Sequence, residues 1–388
     1  MHFFQRLSNI STFKFKSSEI LEQSKVRNST LDCLRGIAII SVVCVHSNQY
    51  SSFSNFAEVP TFRNLINWGV YGVELFFFIS GYLLNSIYGN QSKPFNNYQF
   101  WVRRLARIYP LWVIFLIFQF ILFMTMNLGG IPIAKNSIGD GKILENSMMI
   151  LILTLTFALW ISPNLWNTII PGGWSIQAEV LNYLFFSFFR KQRYFCIIIF
   201  GALNFMTRNI TYKPNQPDIA FMGSTEQFLG YFLNYLCIST TFSFFLLGAI
   251  CHGLITTKER KNIFDILTFL FLLISILFGS LPFGNTSEAI IFIFLSCLLT
   301  HFAMKLRVAE LILGKIGKVS YFMYFAHFYV LIIIRKFHEF FGFTNGGSFE
   351  IYGYFFIYLM LCLTTCYLLG LLSFHFFENP IIKFARSK

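Results

Sequence analysis

Long apolar stretches separated by short polar segments run through the whole sequence, and the longer stretches could each cross a bilayer as a helix. Nine such spans are predicted, and two further stretches, 146–161 and 194–206, are marginal. The nine spans are 34–50, 69–88, 108–128, 174–189, 229–251, 263–281, 286–304, 319–334 and 351–377. Because backbone groups inside a bilayer must pair internally, the predicted fold is an all-α polytopic membrane protein.

The positions of the basic residues predict the direction of each span. Most of the 30 Lys and Arg residues fall on one side if 194–206 crosses the membrane and 146–161 dips in or lies along its surface. Because cytoplasmic segments carry the excess of Lys and Arg, we expect about ten transmembrane helices with both termini cytoplasmic. The predicted domains are a cytoplasmic tail over 1–30, a transmembrane domain over 31–383 and a second cytoplasmic tail over 384–388.

Composition agrees with this class and excludes others. The chain is 55% hydrophobic and only 12% charged, which excludes an ordinary soluble protein. Its net charge of +13 could indicate a nucleic-acid partner, but the basic residues cluster between apolar segments, so none is predicted. The eight cysteines lie mostly in apolar stretches without C-x-x-C spacing, and neither a disulfide framework nor a metal site is expected.

Two ionisable residues, Arg35 and His46, occur in the first predicted span. Eleven positions of a helix make about three turns, so the two side chains share a face and lie about 16 Å apart along the axis. An ionisable group at membrane depth marks a candidate functional site. The alternative is structural: Arg35 extends to lipid headgroups, and His46 bonds a neighbouring helix.

Two carboxylates are also predicted at membrane depth, Glu74 in the second span and Glu179 in the fourth. Each is placed a few residues below the outer surface, so we expect both to lie near the depth of His46. Trp174, which follows a Pro-Gly-Gly break, is predicted at the outer interface. A carboxylate in hydrocarbon needs a partner or becomes protonated, so each residue has a structural or a catalytic interpretation.

The cytoplasmic mouth of the third span carries Arg104 and Arg107, which share a helical face by their i, i+3 spacing. Guanidinium groups suit phosphate oxygens, although arginines here also satisfy the topology rule. Together with Arg35 on the same side, they predict a site for an anionic cofactor. At the other end of the chain, Asn379-Pro380 is expected to end the last span, with Glu378 near the inner surface.

The predicted span over 319–334 has glycines before it, and Gly314 and Gly317 with exposed helix amides could hold an anion. Polar residues on the span itself are Ser320, Tyr321, Tyr324 and His327. Tyr324 and His327 share a helical face. His327 alone is more typical of a core histidine with a satisfied hydrogen bond.

Taken in order, these motifs resemble the acyltransferase-3 family, which are bacterial integral-membrane acyltransferases that include O-acetylases of O-antigen and other surface glycans. The resemblance extends from LDCLRG at residue 31 to FFENP, which ends at residue 380. Arg35 and His46 match the family's Arg, ten residues, His pattern. Arg104 and Arg107 match its Arg-x-x-Arg pattern.

Two further elements carry the resemblance. Trp174-Ser175 with Glu179 matches the Trp-Ser-Leu-x-x-Glu element, although Ile replaces Leu here. The later segment matches a Ser-Tyr-x-x-Tyr-x-x-His pattern through Ser320, Tyr321, Tyr324 and His327. The chain departs from the family at Glu74, where Asp is common, and at the residues after Glu179.

The resemblance implies transfer of an acetyl group from cytoplasmic acetyl-CoA to a hydroxyl of a lipid-linked or cell-surface saccharide, in the bacterial inner membrane. The implied catalytic residues are His46, Glu179 and Glu74; the implied acetyl-CoA site is Arg35, Arg104, Arg107, Ser320 and Tyr321; the implied saccharide site is Trp174, Tyr324 and His327. A thioester donor requires no metal, and a homo-oligomer is compatible with the sequence. Two alternatives are a glycan or acyl-precursor transporter or flippase, whose internal charges line a path, and a structural subunit of a glycan-assembly complex.

Overall fold

Helices make up all the regular structure in the residues that the computed structural model describes, which are 29–48, 66–89, 95–129, 147–158, 170–207, 238–256, 263–277, 285–340 and 348–387. The helices are α1 (Ser29–Asn48), α2 (Gly72–Tyr88), α3 (Asn97–Gly129), α4 (Ser147–Leu155), α5 (Gly173–Phe189), α6 (Arg193–Thr207), α7 (Ile238–Thr256), α8 (Ile263–Leu277), α9 (Thr286–Ala303), α10 (Arg307–Lys318), α11 (Ser320–Phe340), α12 (Ser348–Ser373) and α13 (Asn379–Ser387). A 3₁₀ turn at Trp68–Tyr71 leads into α2, and a π turn at Phe374–Glu378 joins α12 to α13.

Among these residues, five helical stretches are long and apolar enough to cross a membrane. They number six if α10 and α11, which meet at a bend of 75°, count as one span. Shorter apolar helices occur at Phe195–Asn204, Thr240–Ile255 and Ile266–Leu277. The prediction of an all-helical protein is confirmed for the described residues, and five or six of their helical stretches have the length and apolar character of membrane spans. The count of about ten transmembrane helices and the cytoplasmic position of both termini stay predictions.

Helix α4 is much shorter than the marginal stretch 146–161 that contains it. Its nine residues rise about 14 Å, less than half of a hydrocarbon core about 30 Å thick. A turn follows, in which Phe157 has a φ of 55°, and Trp112 of α3 donates its indole N–H to the Thr154 carbonyl at 2.9 Å. The described part of this stretch therefore agrees with the interpretation that it does not cross.

Two helix ends differ from the sequence predictions. Helix α3 begins at Asn97 rather than 108, so Arg104 and Arg107 lie well inside a continuous helix. The last span does not end at Asn379-Pro380, because the π turn continues into α13. Pro380 has no N–H to donate into this continuous helix, and it follows directly after the π turn, where the regular α-helical hydrogen bonds are already interrupted.

Glycines allow two helices to approach backbone to backbone. A Cβ at Gly81 of α2 would lie 1.8 Å from the Phe245 carbonyl oxygen of α7, and one at Gly248 would lie 2.0 Å from the Phe78 carbonyl oxygen. Small residues are typical of such contacts between membrane helices. The pairs 81 with 245 and 85 with 252 show that α2 and α7 run parallel.

The two glycines predicted to hold an anion have a different role. Both lie inside α10 rather than before a helix start, and Gly317 is buried against α1. A Cβ on Gly317 would lie 1.7 Å from the Asp32 carbonyl oxygen, and a Cβ on Gly36 would lie 2.3 Å from the Leu313 carbonyl oxygen. The prediction of an anion site at Gly314 and Gly317 is therefore wrong, because their amides are inside a helix that packs on the start of α1.

The remaining contacts fix the relative direction of the helices that surround the site. Helices α1 and α2 are antiparallel, since Gly69 packs on Ser41 while Gly72 packs on Ala38. Helices α3 and α11 are parallel, with Tyr321 bonded to the Ile108 carbonyl and Tyr329 to Gln119. These directions agree with the predicted alternation of the spans. We call the end of the bundle that holds Arg35, Arg104 and Arg107 the basic end, and the end that holds His46 the far end.

Because α2 and α7 lie in close contact, one methyl group added between them is expected to lower the stability of the protein. We expect Gly81→Ala to lower the melting temperature of the detergent-purified protein, because overpacking typically costs about 1–3 kcal/mol. The control is Gly353→Ala, since a Cβ at Gly353 meets nothing within 4 Å among the described residues. Equal melting temperatures for the two variants would contradict this account of the contact.

Candidate functional site

A cleft with about 550 Å³ of empty space lies between α1, α2, α3, α5 and α11. Its polar lining consists of Arg35, Ser80, Arg107, Ser175, Glu179, Ser320, Tyr321 and Tyr324. Apolar side chains of α2, among them Val73 and Phe76, form another part of the wall. Residues from five helices therefore meet at one cavity, and most of the polar ones were predicted as site residues from the sequence.

Two guanidinium groups line the basic end of the cleft. Arg35 donates from Nη1 to Asp32 at 2.8 Å, one helical turn away on α1. Arg107 lies within electrostatic range of Arg35 and of the buried carboxyl of Glu378. Glu378 is also hydrogen-bonded by the Ser373 hydroxyl at 3.1 Å. An acidic residue thus lies near each of the two arginines, and both arginines still line the open cleft.

Glu179 lies with the arginines and not with His46. Its Oε1 accepts hydrogen bonds from Ser80, at 3.0 Å, and from Tyr183. Ser80 is six residues beyond Glu74 on α2, which is about 9 Å closer to the basic end. The prediction that Glu179 shares the depth of His46 is therefore wrong.

The position of the Pro-Gly-Gly break explains this difference. The sequence placed the break at the outer surface, but Gly172 and Trp174 are buried inside the bundle, and Trp174 is only 6% exposed. Helix α5 therefore starts within the protein, which is possible where irregular backbone is covered by other helices. Every residue of α5 consequently lies deeper than predicted, and Trp174 is a core residue rather than an interface anchor.

Tyr324 joins α5 to α11 at the middle of the cleft. Its hydroxyl lies 2.7 Å from the Ser175 hydroxyl and donates to the Gly172 carbonyl at 3.2 Å. Gly172 has a φ of 72°, and a Cβ there would lie 3.2 Å from the Tyr324 hydroxyl. A residue with a side chain would be strained at this position and would crowd Tyr324. The glycine at position 172 therefore leaves the space that the Tyr324 side chain occupies.

The two predicted histidines meet beyond Tyr324, toward the far end. The rings of His46 and His327 lie 5.2 Å apart, and both contact Phe328. His327 is fully buried; its Nδ1 lies 3.0 Å from the Met323 carbonyl oxygen, and its Nε2 has no hydrogen-bond partner among the described residues. The ring of Tyr324 lies 5.9 Å from that of His327. The histidine pair is therefore the next polar group after the end of the cleft.

Glu74 is buried and lies apart from the histidines along the bundle axis. Gly72 packs on the Ala38 carbonyl, and Glu74 is half a turn closer to the basic end. His46 is eight residues beyond Ala38, about 12 Å along α1. The prediction that Glu74 lies at the depth of His46 is therefore also wrong. Its Oε2 has no hydrogen-bond partner among the described residues, and its carboxyl lies within electrostatic range of Tyr324.

Arg104 does not line the cleft, although the sequence grouped it with Arg107. Its guanidinium lies over the ring of Tyr183 at 5.8 Å, and its side chain is buried. Tyr183 also donates a hydrogen bond to Glu179, so Arg104 contacts the residue that holds the Glu179 carboxyl rather than the carboxyl itself. The spacing of the two arginines placed both near the site, but only Arg107 reaches the cavity.

Some residues of the site were not predicted. Asp32 could have been found from its i, i+3 spacing to Arg35, which is the usual spacing for an ion pair on a helix. Glu378 was interpreted as part of a helix end, and its burial near Arg107 depends on the unexpected π turn. Ser80 and Tyr183 carry no sequence signal of their own, because they meet Glu179 only through the packing of α2 on α5.

Comparison with known proteins identifies the relatives of this chain. A family model described as an acyltransferase domain matches residues 28–372. A Bacillus subtilis protein whose name ascribes to it peptidoglycan O-acetyltransferase activity is 39% identical over 85 residues, which are 21% of this chain and 11% of that protein. The matched part thus spans about a tenth of that relative's length.

No solved structure matches the chain. The family model, however, covers nearly all of the helices that form the cleft, from α1 to most of α12. It includes Arg35, His46, Arg107, Glu179 and Tyr324. The chain therefore belongs to the acyltransferase-3 family.

Proposed function

We propose that this protein transfers an acetyl group from cytoplasmic acetyl-CoA to a hydroxyl of a lipid-linked or cell-surface saccharide, as a multi-pass protein of the bacterial inner membrane. The observation that carries the proposal is the polar cleft, which begins at Arg35 and Arg107 and ends at Tyr324 beside the histidine pair. The name of the Bacillus relative supports a saccharide of the cell envelope as acceptor.

The donor enters from the basic end in this proposal. Arg35 and Arg107 bind the phosphates of acetyl-CoA, since guanidinium groups form strong paired hydrogen bonds to phosphate oxygens. The pantetheine arm then extends along the cleft past Ser320 and Tyr321, which both line it. The rise of about 16 Å from Arg35 to His46 is of the order that this arm covers. The thioester thereby reaches the level of Tyr324 and Ser175.

The acetyl group is transferred where the cleft approaches His46. In one route, His46 removes the proton of the sugar hydroxyl; the hydroxyl oxygen attacks the thioester carbonyl, the C–S bond breaks, and CoA leaves as the thiolate that the proton neutralises. In the other, His46 itself carries the acetyl group transiently. The hydroxyls of Tyr324 and Ser175 line this part of the cleft and donate to the Gly172 carbonyl in the structure. In the reaction, one of them turns its proton to the thioester carbonyl oxygen as that oxygen gains charge.

The remaining site residues position these groups. Glu179 is held by Ser80 and Tyr183 next to the arginines, which fixes the position of its carboxyl group beside the donor path. His327 contacts His46, and its buried Nε2 has no hydrogen-bond partner among the described residues, so it binds the acceptor saccharide only after the histidine pair moves apart. Glu74 lies near Tyr324 and contributes to the electrostatic field at the reacting carbonyl.

The two arginines of the Arg-x-x-Arg pattern are predicted to differ in their effect on the donor. Arg107→Gln should raise the KM for acetyl-CoA about tenfold or more, because it removes a charged hydrogen bond to phosphate. Arg104→Gln should change KM much less, since Arg104 packs on Tyr183 outside the cleft.

The assay is the transfer of label from radiolabelled acetyl-CoA to a glycan acceptor in membranes that contain each variant. Equal donor KM values for the two variants would exclude this phosphate site. Movement of the glycan without consumption of acetyl-CoA would instead favour a transporter or flippase.

The hydrogen bonds to Glu179 give a second prediction. Ser80→Ala and Tyr183→Phe should each lower kcat/KM about tenfold or more, since each removes one of the two hydrogen bonds that hold the Glu179 carboxyl in place. Ser187→Ala is the matched control on α5, because its hydroxyl bonds only the Leu184 carbonyl of its own helix. Unchanged kcat/KM in both Glu179 variants, at unchanged expression and melting temperature, would show that the carboxylate does not need this positioning.

A further inference from the structure

We propose that a second cavity, at the basic end of the bundle, binds one anionic phospholipid. This cavity also has about 550 Å³ of empty space and lies between α2, α5, α6 and α7. It shares no lining residue with the cleft that holds Arg35 and Glu179. The proposal is therefore independent of the acyl-transfer function.

The walls of this cavity are suited to a hydrocarbon chain. Most of its lining is apolar, and Phe185, Phe186, Phe242 and Leu246 form much of the surface. The outer faces of α5 and α6 beside it carry exposed Phe188 and Ile198, which on a membrane helix face lipid. The two helices that line the cavity thus also carry apolar surface of the kind that contacts lipid.

One end of the cavity carries a positive charge. Arg190 lines it from the C-terminal end of α5, donates from Nη1 to the Tyr88 carbonyl at 2.9 Å and lies 4.4 Å from the ring centre of Phe95. These two contacts fix the guanidinium but do not neutralise it. Among the described residues Arg190 forms no ion pair, and no carboxylate lines the cavity.

The charge lies where a lipid headgroup would be. Tyr88 ends α2 at the basic end, and the sequence continues from Arg190 into Lys191, Gln192 and Arg193. Basic pockets between transmembrane helices on the cytoplasmic side are typical sites for anionic lipid headgroups. An apolar slot thus has one arginine at its headgroup end, and no carboxylate of the described residues pairs with it. Such a slot fits a lipid with a phosphate charge and a free acyl chain.

Asn85 gives the cavity a second fixed polar group. Its side-chain amide donates to the Ala249 carbonyl at 2.9 Å and lies 3.3 Å from Nδ1 of His252. Because this amide is already engaged with α7, it holds the wall in place rather than binding a headgroup. Selectivity for an anionic lipid therefore depends on Arg190.

The experiment is native mass spectrometry of the full-length, delipidated protein with phosphatidylglycerol and phosphatidylcholine of identical acyl chains. The wild-type protein should bind one phosphatidylglycerol about tenfold or more tightly than phosphatidylcholine. Arg190→Gln should bring the two affinities together, whereas Arg190→Lys, which keeps the charge, should retain a preference. Ala249→Phe, which fills the cavity, should lose the bound lipid.

The matched control is Arg307→Gln, which removes an exposed arginine at the start of α10 outside the cavity. It should keep the wild-type preference for phosphatidylglycerol. Equal affinities of the wild-type protein for both lipids would overturn the proposal, as would an Arg190→Gln variant that still prefers phosphatidylglycerol. An equal loss of preference in the Arg307→Gln variant would show general surface attraction instead. If Ala249→Phe does not fold, the Arg190 variants still decide the question.

Discussion

The contact of Tyr324 with Ser175 and the Gly172 carbonyl holds α5 and α11 together, and the arrangement of the site depends on it. Helix α11 brings Ser320 and Tyr321 to the cleft on one side of this contact and His327 to His46 on the other. Helix α5 continues from Ser175 to Glu179 and Tyr183, beside the arginines. One buried tyrosine thus lies between the charged part of the site and its histidines.

The charges around this contact are costly to bury, so their arrangement is informative. A carboxylate and a guanidinium are both expensive inside a bilayer unless they pair or line a cavity. Asp32, Glu179 and Glu378 lie near Arg35 and Arg107 at the basic end, and the arginines still line the cleft. A purely structural cluster would be expected to close over its charges. An open cleft beside them fits an anionic ligand.

The sequence predicted the parts of the site that depend on one helix alone. Arg35 and His46 have a fixed separation on a continuous α1, so their spacing was sufficient to place them. Glu179 was placed too far from the arginines because its depth depends on where α5 starts, and that start is set by the fit of Gly172 against Tyr324.

The roles of Gly314 and Gly317 were missed for a similar reason. A glycine pair has the same sequence pattern in an anion-binding turn and in a close contact between helices, and only the packing of α10 on α1 separates the two. Arg104 and Arg107 likewise share a helical face, but only the position of Tyr183 on α5 shows that Arg104 is covered. The roles of these residues are set by contacts between helices, which the sequence pattern of a single helix does not show.

The central claim is that the donor and the acceptor approach the reacting atoms from opposite sides of the membrane. Proteoliposomes with acetyl-CoA sealed inside and a glycan acceptor outside test it directly, because neither compound crosses the bilayer and only correctly oriented molecules contribute. The account predicts that the outside glycan becomes acetylated, that His46→Ala abolishes the reaction, and that His301→Ala, which changes an exposed histidine, does not. Acetylation only when both substrates are on the same side, or full acetylation by the His46→Ala variant, would contradict it.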